Sequence, residues 1–149
     1  MKINFKRLAI TILIPLVLGA IVGFITNSGG YNDMVKPSFA PPAWLFPVVW
    51  TILYILMGVS YYKLDNISTE KTKKIYYAQL IVNLLWCFIF FSFKMYLFAF
   101  IWLLLLIVLV ILMIKDFYKY NKTSAYLQIP YLIWIIFAAI LNFAIYKLN

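Results

Sequence analysis

Three sets of side chains in this sequence share a spacing that could build a binding pocket. Gln79, Asn83 and Trp86 follow i, i+4, i+7 and place two amides and an indole on one helical stripe. Trp50, Tyr54, Met57 and Tyr61 form a second stripe. Gln128, Tyr131, Trp134 (or Ile135), Ala138 and Asn142 form a third, in which small Ala138 leaves space beside the rings. The chemistry on offer is stacking and hydrogen bonding. The chain has no His, which removes His-ligated metals, axial His to haem and His general-base catalysis. Its lone Cys87 has no partner for an intrachain disulfide and reads as a small buried apolar residue. Catalytic Ser/His/Asp sets, paired carboxylates and phosphate-binding loops are also missing. Pockets for small molecules are mostly apolar and aromatic with a few oriented polar groups, so the stripes point to a flat, hydrophobic ligand that is uncharged where buried. The plainer alternative is that Gln79, Asn83 and Asn142 only tie helices together, each bond worth roughly 0.6–2 kcal/mol.

The elements that must carry these stripes are membrane spans. Five apolar stretches, about 8–26, 44–62, 75–93, 95–114 and 125–146, contain no Asp, Glu, Lys, Arg or His. At ~1.5 Å per residue each reaches across a hydrocarbon layer ~30 Å thick. Hydrophobic residues make up 66% of the chain, against ~45–50% in soluble domains. The fold class is therefore an all-α integral membrane protein, one domain over residues 1–149 with five spans. The lipid bilayer is its main solvent. A net charge of +9 raises nucleic acid as a partner, but the basic residues flank the spans and form no continuous run. Ten of them, from Lys2, Lys6 and Arg7 to Lys115, Lys119 and Lys122, fall on the N-terminal side, and only Lys36, Lys94 and Lys147 on the other. By the positive-inside rule the N-terminus is cytoplasmic, in a cell membrane. The first span reads as a retained anchor, since Asn27-Ser28-Gly29-Gly30 is a poor signal-cleavage site. With no carboxylate expected inside a span, proton-coupled export is disfavoured.

Local signals add detail. Gly19 and Gly23 form a G-x-x-x-G pair, read either as packing within the chain or as a homodimer face. Pro15 should kink the first helix. Between the first two spans, a long loop holds Lys36-Pro37-Ser38-Phe39-Ala40-Pro41-Pro42, stiffened by its prolines and able to fold back as an apolar lid. Ser68 is placed as the N-cap of the third helix, and the fourth span as a structural, lipid-facing helix.

The ordered motifs are specific. Tyr31 with Lys36 to Pro42, Val49 to Tyr54, Gln79 to Phe91, and Pro130 to Trp134 with Phe137 to Asn142 together resemble the TspO/MBR family of bacterial tryptophan-rich sensory proteins and mitochondrial translocator proteins. The resemblance implies a five-helix bundle, commonly a homodimer, binding tetrapyrroles such as protoporphyrin IX under the first loop, with no cofactor or metal required. At matching positions it implies Trp50 and Trp134 facing the tetrapyrrole, Asn83 and Trp86 lining the pocket, Ala138 beside the ligand, and Tyr31, Pro41 and Pro42 in the lid. It also raises a light- and oxygen-dependent porphyrin breakdown, ascribed to Trp50 and Trp134 as catalytic residues, and facilitated transport of a lipophilic metabolite. Gly30 and Phe39 stand where the family usually has lid tryptophans.

Overall fold

A computed structural model describes residues 2–26 and 28–149. Its elements are α1 (Phe5–Thr26), a 3-10 turn (Ser28–Asp33), α2 (Leu45–Leu64), α3 (Glu70–Cys87) continued by a π-helical turn (Phe88–Ser92), α4 (Tyr96–Tyr120), α5 (Lys122–Leu127) and α6 (Ile129–Leu148). No strand occurs among the described residues. Five helical segments are long and apolar enough to cross a membrane, with α5 and α6 together making the fifth. In lipid the backbone must satisfy its own hydrogen bonds, which is why such sequences become helices.

The element ends differ from the sequence expectation in ways that chemistry explains. Thr69, not Ser68, caps α3: its extended backbone lets the side-chain oxygen accept from the Thr72 amide. The fifth span breaks at Gln128, because Pro130 has no N–H to give the Tyr126 carbonyl. Pro15 stays inside an unbroken α1. Helix α4 runs past its apolar stretch and carries Asp116, almost fully buried, in its last turns. A carboxylate therefore does lie within a membrane-length helix, contrary to the expectation. The Thr72 hydroxyl donates to it, so its burial is compensated by a hydrogen bond across to α3.

Helix α4 is also more than a lipid-facing strut. Ala99, Leu103, Leu106, Val110, Met113 and Phe117, spaced four and three apart, are buried on one face. The opposite face, with Ile101, Leu104, Leu105, Val108 and Leu112, is exposed. Both faces are equally apolar, since lipid and protein make the same demand, so the sequence could not tell them apart.

The tightest helix crossing is between α1 and α2. A Cβ at Gly58 would lie 2.4 Å from the Ile12 Cα and 2.5 Å from the Thr11 carbonyl oxygen. That carbonyl is the one Pro15 leaves without its i+4 amide partner, so Pro15 and Gly58 together let the two backbones meet. At the same end of the bundle, the Tyr62 hydroxyl accepts from the Asn4 amide at 2.8 Å, and Arg7 pairs with Asp65.

Candidate ligand cavity

Each stripe read from the sequence faces the bundle interior, and a cavity of about 330 Å³ lies among α1, α2, the end of α3 and α6. Helix α2 contributes Trp50 and Tyr54, whose rings stack with centroids 5.5 Å apart. Helix α3 and its π turn contribute Trp86 stacked on Phe90 at 4.9 Å, with Cys87 and Phe91. Helix α6 contributes Trp134, Ala138 and Asn142. The π turn inserts an extra residue per turn, which swings Phe90 and Phe91 toward the space; such turns often mark functional sites.

Behind this wall runs a directed chain of hydrogen bonds. The Tyr54 hydroxyl donates to Asn83 Oδ1 at 2.7 Å, Asn83 Nδ2 donates to the Tyr131 hydroxyl at 2.8 Å, and that hydroxyl donates to Gln79 Oε1 at 2.8 Å. Gln79 Nε2 ends on the Met57 sulfur at 3.5 Å. Asn83 and Gln79 therefore stand behind the cavity rather than in its lining, because their amides are used in holding Tyr54 and Tyr131. Asn142 does both jobs: it lines the cavity, accepts from Trp86 Nε1 at 3.1 Å and donates to the Tyr96 carbonyl at 2.8 Å. The indole N–H of Trp134 is buried with no acceptor among the described residues. So is the whole amide of Gln128, which stays outside the lining.

The first loop closes one end. Tyr31 is 2% exposed, donates to the Pro41 carbonyl at 2.8 Å and sits edge-on to Phe46 at 4.9 Å. Burial raises its phenol pKa above the ordinary value. Lys36 Nζ bonds the Tyr31 carbonyl at 3.0 Å and lies 4.8 Å from the ring centre. The amide of Asn149 clasps Val35 from both sides, accepting from its N–H at 3.3 Å and donating to its carbonyl at 2.9 Å. Tyr31 thus lines the cavity, whereas Pro41 serves as its acceptor and Pro42 is exposed away from it. Phe39 packs edge-on to Phe137 at 6.4 Å, outside the lining. Gly30 has no side chain to describe.

Sequence reasoning missed several lining residues. Gly19 and Gly23, read for helix pairing, both border the cavity. A Cβ on Gly19 would come within 2.3 Å of the Tyr54 ring, while one on Gly23 would meet nothing within 4 Å. Their place one turn apart on the α1 stripe with Leu16, Ala20 and Thr26 was a legible signal, but its target was not. Phe46, Phe90 and Phe91 carried no signal in a chain with 13 phenylalanines. Among the described residues no group of three or more His, Cys, Asp or Glu could hold a metal ion.

Residues 11–148 match the family described as TspO/MBR. The chain belongs to that family. A tryptophan-rich protein TspO of Archaeoglobus fulgidus is 39% identical over 98% of this chain and 99% of its own length. The tryptophan-rich sensory protein of Cereibacter sphaeroides is 32% identical over 80% of this chain and 76% of its own. Human translocator protein is 32% identical over 89% of this chain and 84% of its own. The TspO/MBR fold is thus the five-helix membrane bundle described above, and membership supports a membrane sensing or binding role in general terms.

Proposed function

We propose that this TspO/MBR protein binds a tetrapyrrole of the protoporphyrin IX class in the cavity under the first loop. The observation that carries the reading is the lining itself: the indoles of Trp50, Trp86 and Trp134 surround one space that has no carboxylate or ammonium in its wall. Large flat rings bury well on such faces, with aromatic pairs worth ~0.5–1.5 kcal/mol beyond area burial. The Trp134 N–H, buried without an acceptor among the described residues, supports a hydrogen bond to a ligand acceptor. The names of relatives, a sensory protein and a translocator protein, agree with a small-molecule ligand at the membrane.

Titration of the purified protein with protoporphyrin IX, followed by tryptophan fluorescence, tests the reading. Saturable quenching that weakens in Trp50→Phe and Trp134→Phe supports it; quenching that never saturates, or that ignores both substitutions, rejects it. A second reading, light- and oxygen-dependent breakdown of the bound pigment, is favoured by the same two oxidisable indoles standing in one cavity. Under illumination in air it requires a new absorbing product that disappears in either Trp variant. We further propose a cytoplasmic N-terminus in a cell membrane, with the lid on the outer side, a reading supported by the split of ten basic residues against three.

A further inference from the structure

We infer that the cavity is entered sideways from the hydrocarbon of the bilayer, through a cleft between α1 and α2, and not from water through the lid. This rests on the ligand reading above and adds the route and the phase from which the ligand comes. The water-side end is closed by the buried Tyr31, its bond to Pro41, the Lys36 bond and the Asn149 clasp. The opening lies elsewhere. Of the lining residues, the ones exposed are Ala20 on α1 and Pro47 and Thr51 on α2. Those given by α3, its π turn and α6 are buried or half-buried.

The geometry of the pair explains why a gap stands there. Backbones touch at Gly58 with Thr11 and Ile12, so the helices are pinned at the end away from the lid. At Gly19 the Tyr54 ring of α2 still closes against α1, but beyond it toward the lid Ala20 and Gly23 are too short to bridge to α2, and a Cβ added at Gly23 would meet nothing within 4 Å. The Thr51 hydroxyl donates back to the Pro47 carbonyl of its own helix, so it is not used in a bond across to α1. Ile21 and Phe24 on one flank of the cleft and Val48 and Ile52 on the other are exposed and apolar, so the mouth faces acyl chains. Its depth is within two helices of membrane-spanning length. A planar hydrophobic solute partitions into lipid, so a mouth of this kind draws on the phase where the ligand is concentrated.

The test uses the full chain in liposomes with protoporphyrin IX dissolved in the lipid, and porphyrin emission followed after rapid mixing. Ala20→Phe narrows one lip and Thr51→Phe the other. In each, association slows about tenfold and dissociation slows with it, as for a narrowed doorway. Association unchanged, or slowed with dissociation unchanged or faster, overturns the inference, since the latter marks lost affinity. For the unaltered protein, diluting the aqueous phase at fixed porphyrin-to-lipid ratio leaves the rate constant; a rate falling in proportion to dilution shows entry from water and overturns it. If the unaltered protein shows no saturable signal, the tetrapyrrole reading fails and takes this one with it. Saturable binding with unaffected rates removes the doorway alone.

Discussion

At the scale of single residues, Asn83 has the heaviest duty. Its amide uses both ends, accepting from Tyr54 and donating to Tyr131, at 2% exposure. Asn83→Leu keeps the branching at Cγ and removes two bonds, which in a membrane interior are worth roughly 0.6–2 kcal/mol each. The expected result is a loss of about 1–3 kcal/mol in detergent unfolding, with weaker porphyrin quenching because Tyr54 loses its anchor. Unchanged unfolding would show that the hydroxyls find other partners. Tyr31 gives a pH expectation. Its phenol pKa is raised by burial, so the neutral form is favoured in the fold; its contribution to stability is complete below the ordinary value near 10 and declines as pH rises through the higher folded value. The lid should therefore hold from neutral to pH 9, which protease protection of the loop would report. The amides were legible at this scale because polar groups are costly in lipid, and the tryptophans because the chain has only five. Their ranks were not: nothing in the spacing separated Asn142, which lines the cavity, from Asn83 and Gln79, which support it from behind.

At the scale of elements, the α1–α2 crossing depends on one absent methyl. Gly58→Ala would drive a Cβ into backbone atoms of Thr11 and Ile12, which cannot turn aside as a side chain can. Overpacking of this kind costs ~1–3 kcal/mol, and the expected outcome is a lower unfolding midpoint. Gly23→Ala, with open space around it, should leave the midpoint nearly unchanged. The turn after the π segment offers the reverse case. Lys94 has φ 53°, a left-handed conformation that costs an L-residue roughly 1–2 kcal/mol and glycine little. Lys94→Gly should raise stability by about 0.5–1 kcal/mol in the same assay. The sequence motif that drew the eye, G-x-x-x-G, is not where the backbones meet. A glycine's role depends on what stands opposite it, and one strand of sequence does not hold that information. The same reason hid the buried face of α4, whose two sides are alike in composition.

At the scale of the whole molecule, the five spans were legible because hydropathy and length act locally. Span ends were less so: Asp116 lay past the apolar boundary at Ile114, yet α4 continues to Tyr120 and buries it against Thr72. Whole-molecule orientation is testable by a cysteine placed in the lid. With Cys87→Ala as background, Ser38→Cys should react with a membrane-impermeant maleimide added to intact cells, and Ser68→Cys only after lysis. The opposite pattern would invert the topology.

The clasp of Asn149 on Val35 gives a side chain just past α6 a hold on a loop 114 residues away in sequence. Asn149→Ala, which removes both bonds, would untie the cap without touching any wall of the hollow beneath. If the cavity holds a porphyrin, that variant should release it to water faster than the unaltered protein at unchanged unfolding midpoint, so a distant side chain would set the residence time.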